Sequence, residues 1–407
     1  MARLERTLTL PEVVFFGVGS VLGAGIYTLI GKVASQAGSL LWLAFLIASV
    51  VALLSAFSYA ELAAAIPKSG GEYEYGKQAS GEKVGLIIGF ITSLNGVISG
   101  ATVALGFAGY LSRLVDAPQM VAALGILGLV LLVNVSGIRQ SSKLNILFTT
   151  IEVGGLALVV FSGLPKLGSA DFTTMPEGGV NGLLLATALS YFAYLGFEEI
   201  VKLGEETKNP EKVIPRALFL SGAIVVVVYM LVALSVTSVL SPQELGQSRS
   251  PLADVVGVRF GETGVTAITV IALFATANTI LSNMLGSSRI ILGMAKDHRF
   301  LGLLSKVSER RKTPVAALLL ATAIMCLFAL IGTIEVVALL ANFSIFLTFL
   351  AVNFFVIRLR KTQPDLKRPF RIPGSVGGIP VIPVLAIALT LVLIGYTIYG
   401  LAVGVDV

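Results

Sequence analysis

The sequence predicts an all-α polytopic membrane protein with about eleven transmembrane helices, and three observations carry that reading. The 407 residues are 56% hydrophobic and 13% charged, where soluble domains carry roughly 45–50% apolar and about 25% charged residues. Uncharged apolar runs such as 217–240 and 381–403 recur, each longer than the roughly 18 residues that cross a hydrocarbon core. The 29 Lys and Arg residues fall on alternate links between such runs, 24 against 5, the asymmetry of a protein whose basic links stay in the cytoplasm.

Taken in order, the expected spans are 13–31, 40–65, 84–112, 119–137, 145–164, 182–201, 216–240, 264–294, 314–333, 335–357 and 378–403. The links between them carry turn and breaker residues, among them Pro67-Lys68-Ser69-Gly70-Gly71, Asn209-Pro210, Ser241-Pro242 and Pro364. Arg3, Arg6, Lys68, Lys77, Lys83, Arg139 and Lys143 open the basic series. Lys32, Arg113, Lys166, Arg249 and Arg259 make up the sparse one. The N-terminus is therefore expected in the cytoplasm, and an odd number of spans puts the C-terminus, at Val407, outside. Residues 1–10 are polar and lack a cleavable signal pattern.

Several function classes are excluded. One Cys and one His build neither a disulfide framework nor a His/Cys metal site, so no metal or other cofactor is expected. The net charge of +6 follows membrane topology and gives no nucleic-acid patch. No link is long enough for a soluble catalytic domain. No nucleophile, base and metal constellation falls within the spans, so no enzyme is expected. A Walker motif is also missing, which leaves ion or solute gradients as the energy source. Lipid is the expected surrounding partner; Arg310-Arg311-Lys312 can touch anionic headgroups. No oligomeric state is expected from the sequence.

Two spans depart from ordinary helices. Span 1 packs Gly17, Gly19, Gly23 and Gly25 into nine positions near mid-membrane, although each interior Gly costs about 1 kcal/mol against Ala in a helix. Close packing through small residues is the bland explanation. The sharper one is an unwound helix, tolerated in a membrane only where its freed backbone groups line a cavity. Span 6 holds Gly196, Glu198 and Glu199 inside an apolar stretch. Breaks five spans apart are the signature of two inverted five-helix repeats with a site at their interface: here 1–164 and 182–357, with 378–403 as an additional helix, all in one domain.

The stretches Gly19-Ser20-Val21-Leu22-Gly23-Ala24-Gly25-Ile26-Tyr27, Tyr59-Ala60-Glu61-Leu62 with Pro67 to Tyr73, Phe192 to Glu198, Glu205 to Pro210 with Ile214-Pro215-Arg216-Ala217, and Ser288-Arg289 with Met294 to Asp297 resemble the amino acid, polyamine and organocation superfamily of transporters. The resemblance runs through spans 1 to 8 in order, and implies the fold of the sodium-coupled leucine transporter. Members usually have twelve spans against eleven here. It implies a secondary active transporter in the plasma membrane, working by alternating access on a substrate with a free α-carboxylate and α-amine. Val21, Ala24, Gly25, Phe192, Ala193 and Leu195 fall on the family's backbone-contact positions, Phe192 also on its gating aromatic. The chemistry agrees. A break at Gly23 to Gly25 exposes the N–H groups of Ala24, Gly25 and Ile26 at a helix N-terminus, which attracts a carboxylate. A break near Leu195-Gly196 leaves the carbonyls of Phe192, Ala193 and Leu195 for an ammonium group. Asn95, Ser99, Thr102 and Ser190 are pocket candidates that helix-to-helix hydrogen bonding explains equally well.

Glu152, about two turns into span 5, is the most unusual residue, because an ionisable group at mid-span costs at least about 2.5 kcal/mol on insertion scales. In the family's register it lands where many proton-coupled or sodium-independent members carry a Lys. The same register puts Asn278, Thr279 and the Val21 carbonyl near it. Lys202, four positions after Glu198, can pair with Glu198 or neutralise Glu152. The bland reading is a buried ion pair. As a coupling group, Glu152 is either a proton carrier or, kept ionised with the oxygens around it, a ligand for sodium. The proton is preferred, because the sodium-binding hydroxyls of span 8 are only partly present. A sodium-coupled transporter, and an amine or polyamine transporter or exchanger, are the alternatives. Glu61, closing span 2, is a candidate anchor for a cytoplasmic gate.

Overall fold

The computed structural model describes residues 4–248, 250–298, 301–331 and 334–402. Arg3, Arg249, Arg299, residues 332–333 and 403, and the C-terminus at Val407 lie outside the described residues. The chain is helical almost throughout: α1 (Leu10–Leu22), α2 (Ala24–Ala37), α3 (Leu41–Ala65), α4 (Glu72–Ser80), α5 (Glu82–Leu111), α6 (Gln119–Ser136), α7 (Ile138–Gly163), α8 (Gly179–Phe192), α9 (Pro210–Val239), α10 (Pro242–Gln247), α11 (Pro251–Asp297), α12 (Val315–Ile331), α13 (Ile334–Thr362) and α14 (Val381–Ala402). A two-stranded hairpin, Ser375–Val376 with Ile379–Pro380, precedes α14.

Each of the eleven expected spans coincides with a helix or a helix pair. Nine helical stretches among the described residues are long and apolar enough to cross a membrane, and Val315–Leu330 is a shorter apolar helix. The differences lie at the ends. α7 begins at Ile138 rather than 145, because Arg139, Gln140 and Lys143 continue the helix past the apolar stretch. α9 begins at Pro210 rather than 216, with Pro at its first position, where its missing N–H leaves no bond unmade. α11 runs over 47 residues, but Gly261 at φ 61° interrupts it, so the expected span at 264 begins just past that kink. The link after α3 conceals α4, a polar nine-residue helix with no apolar period to announce it.

Local chemistry starts the first span. The Glu12 carboxylate accepts from both the Thr9 backbone N–H and its hydroxyl at 2.7 Å, closing the first turn of α1. At Gly23 the backbone turns to φ −47°, ψ −142°, which ends α1 and begins α2 one residue later. α1 packs against α7, α9 and the 3₁₀ segment Phe197–Leu203, whereas α2 packs against α8 and α10. The two halves of the first span thus meet the two halves of the sixth.

Several basic links are tied together at one end of the bundle. Lys77 pairs with Asp297 at 2.6 Å, Lys296 with Glu205 at 2.8 Å and Lys68 with Glu74 at 2.9 Å. Thr7 and Leu8 donate to the Glu206 carbonyl at 2.9 and 3.0 Å, and Lys208 N–H donates to the Leu8 carbonyl at 2.9 Å, so the chain start is zipped onto 206–208. Beneath it Arg289 grips Glu206 through Nε (3.0 Å) and a terminal nitrogen (2.7 Å), both side chains fully buried. Glu61 lies at this same basic end. Its carboxylate takes Arg360 Nε at 2.9 Å, the Ile372 N–H at 2.8 Å and Arg368 at 3.3 Å, which anchors the link before α14 to the end of α3.

Candidate functional site

The site is built where two broken helices face each other. α8 stops at Phe192, residues 193–196 form a turn, and the chain resumes as a 3₁₀ helix at Phe197. Two glycines make the approach possible. Gly196 has φ +119°, which L side chains rarely adopt, and a Cβ there would run into the carbonyl of Ser20 and stand 3.1 Å from the Val21 nitrogen. A Cβ on Gly25 would stand 3.0 Å from the Ala193 Cα. Backbone therefore meets backbone at both crossings, with no room for a side chain between.

Polar groups gather at this seam. Ala24, Gly25 and Ile26 form the first turn of α2, and their N–H groups lie at the positive end of its dipole. On the other side, the Phe192 carbonyl accepts from Leu195 N–H at 3.2 Å. The Val21 and Ala193 carbonyls, one from each break, both lie 2.8 Å from the Tyr229 hydroxyl of α9. Ile26 and Ala193 are buried, and Phe192 and Leu195 half-buried. A helix N-terminus facing a pair of carbonyls, one from each break, can hold a zwitterion, carboxylate to one and ammonium to the other.

Behind the first break lies a second polar group. Gly19 closes against Thr149 Oγ1 and the Asn278 amide, and Gly23 against Thr279 Oγ1; Cβ atoms at either position would collide. The Asn278 amide faces Glu152 but donates to Thr149 at 3.0 Å, while its carbonyl accepts from Asn145 at 2.8 Å. Glu152 is fully buried, and neither carboxyl oxygen has a hydrogen-bond partner among the described residues. Its backbone carbonyl faces the Tyr27 hydroxyl at 3.4 Å. The structure thus brings Glu152, Asn278 and Thr279 to the back of the first break.

Lys202 does not join them. Its hydrogen bond is to Glu199, three positions earlier, rather than to Glu198 or Glu152. The reason is local: residues 197–203 are 3₁₀-helical, a winding that eclipses side chains at i and i+3. Glu198 instead turns back to accept the Gly196 N–H at 2.8 Å. Of the pocket candidates, Ser190 and Thr102 bond their own helices, at Ala186 O (2.8 Å) and Ile98 O (3.1 Å). Asn95 is buried and Ser99 half-buried.

Sequence reasoning missed Tyr229 and Thr149. A signal for the first existed, since Tyr229 is the one hydroxyl-bearing aromatic in the apolar stretch 222–234. Only the fold, however, aims it at two carbonyls 208 and 36 residues away along the chain.

Residues 8–405 match the family described as amino acid permease. The chain is 29% identical to a branched-chain amino acid permease of Bacillus subtilis, over 96% of this chain and 88% of that protein. It is 28% identical to a methylthioribose transporter of the same organism, over 95% of this chain and 87% of that protein. With cationic amino acid transporter 4 of Mus musculus the identity is 30%, over 91% of this chain and 62% of the mouse protein.

Proposed function

The chain belongs to the amino acid permease family, and from that premise we propose that it is a secondary active transporter of amino acids, moving them across the plasma membrane by alternating access and driven by protons. The observation that carries the substrate reading is the seam itself: the first turn of α2 lies against Ala193 at Gly25, with the Val21 and Ala193 carbonyls beside it. Carboxylate and ammonium are the two groups every amino acid shares, and the seam offers backbone donors for one and backbone acceptors for the other. The site residues are then Val21, Ala24, Gly25, Ile26, Phe192, Ala193 and Leu195. Spans within 1–164 and 182–357 form inverted repeats that rock about this site, with the basic end in the cytoplasm and the C-terminus outside.

Proton coupling rests on Glu152. A buried carboxyl whose two oxygens have no hydrogen-bond partner within bonding distance among the described residues, facing an Asn278 amide that donates to Thr149, is suited to bind the smallest cation and to report its loss through span 1. Asn278 and Thr279 assist it; Glu198 and Lys202 act from the second break. Sodium in the same oxygen cluster is the competing reading.

Uptake of labelled leucine and arginine into liposomes, under imposed proton or sodium gradients, tests the proposal. An inward proton gradient is expected to stimulate uptake, and Glu152→Gln to remove that stimulation while substrate binding survives. Stimulation by sodium alone would overturn the proton reading. Displacement of the bound amino acid by an equal concentration of the corresponding plain amine would favour an amine transporter instead.

A further inference from the structure

A second group of buried ionisable side chains lies at the basic end, away from Glu152. Glu72 opens α4 and is fully buried. One of its oxygens accepts from the Tyr59 hydroxyl of α3 at 3.2 Å; the other has no hydrogen-bond partner among the described residues. Across from it stands the 3₁₀ segment with Glu198, Glu199 and Lys202, all buried, and a Cβ on Gly71 would lie 3.3 Å from the Lys202 side chain. Lys202 bonds Glu199, whose second oxygen is also without a partner among the described residues. One cation therefore faces three carboxyls.

The other charges packed around α4 are engaged elsewhere. Arg289 of α11 is held by Glu206 through two bonds. Asp297 takes the Tyr73 hydroxyl and Lys77, each at 2.6 Å. Glu74 pairs with Lys68, and Arg358 of α13 bonds the Ala79 carbonyl at 2.7 Å. Tyr75, on α4 itself, faces Glu72 without supplying charge. Buried carboxylates need a paired cation or a proton. Among the described residues no group of three His, Cys, Asp or Glu side chains has the disposition to hold a metal ion.

We propose that Glu72 is a proton-binding site of the basic end, separate from Glu152, and that protonating it releases α4 from the 3₁₀ half of span 6. Ionised, Glu72 is attracted to Lys202 and latches the two elements; neutral, it gives up that attraction, and Lys202 is left to Glu199 and Glu198. Burial pushes the Glu72 carboxyl above the usual carboxylate range, while Lys202 and the Tyr59 hydroxyl oppose the push. This goes beyond proton coupling at Glu152 and can hold or fail without it.

Infrared difference spectra of the purified protein between acid and alkaline buffers test the site. One carbonyl band of a protonated carboxyl is expected to titrate in the parent protein, to be lost in Glu72→Gln and to remain in Glu152→Gln. Tyr59→Phe is expected to move its midpoint upward by about one pH unit, since the hydroxyl favours the ionised form. Backbone hydrogen exchange in residues 66–80 of Glu72→Gln is expected to be faster than in the parent at one alkaline pH. An unchanged band in Glu72→Gln, or exchange equal to the parent's, overturns the proposal. If that variant does not fold, the Tyr59→Phe shift decides, and an unmoved midpoint is the refuting result.

Discussion

Gly25→Ala places one methyl group at the seam. The ideal Cβ lies 3.0 Å from the Ala193 Cα, 3.6 Å from its Cβ and 3.8 Å from its nitrogen, where carbon atoms prefer roughly 3.5–4.0 Å. The nearest contact is thus about half an ångström too short, and two of the three atoms are backbone, which cannot rotate aside. Overpacking of this kind costs about 1–3 kcal/mol, or roughly 5- to 150-fold in Kd if substrate binding needs the seam closed. Gly25→Val fills the space in front of the α2 N–H groups and is expected to abolish binding. Gly106→Ala on α5, with no atom from a neighbouring element within 4 Å of the new Cβ among the described residues, is the control: it can raise the unliganded Tm through helix propensity but should leave the ligand-induced shift unchanged. The assay is thermal stabilisation of each purified variant by leucine and by arginine, since a ligand of the folded state raises Tm. If Gly25→Val bound either amino acid with the parent's Kd, the carboxylate would not meet the chain at this turn. If Gly25→Ala lowered only the unliganded Tm, the seam would be a packing contact and nothing more.

Two further outcomes are expected. Arg289→Met leaves Glu206 buried without its cation and should cost about 3–5 kcal/mol of stability, most of it recovered in Arg289→Met with Glu206→Leu; thermal unfolding in detergent measures both, and a single variant as stable as the double one refutes the argument. A tag fused after Val407 should react with an impermeant label in intact cells. Labelling only after permeabilisation would mean an even number of spans.

The helices were legible because lipid leaves the sequence little freedom: a spanning segment must be predominantly apolar over about 20 residues, and the basic residues collect in the links between such segments. The breaks were legible for the same reason, since Gly23, Gly25 and Gly196 contradict an otherwise uniform pattern. What was not legible depends on contacts distant in sequence. Nothing near Tyr229 announces that it joins Val21 to Ala193. The partner of Lys202 depended on winding: α-helical spacing pointed to Glu198, and the 3₁₀ segment delivers Glu199. α4 escaped notice because a polar helix at the membrane edge carries neither an apolar run nor a marked face.

That 3₁₀ segment also sets a length. Seven residues at about 2.0 Å each cover roughly 14 Å, against about 10.5 Å for the same residues wound as α-helix. Rewinding would draw the lower half of span 6 inward by about 3.5 Å and turn it like a screw, since each α-helical residue advances the spiral by a smaller angle. The turn would carry Lys202 from the row of Glu199 to the row of Glu198, four positions away. Rewound in this way, the stretch would work as a threaded stroke, with Glu199 and Glu198 as its two stops and Lys202 as the pawl that passes between them.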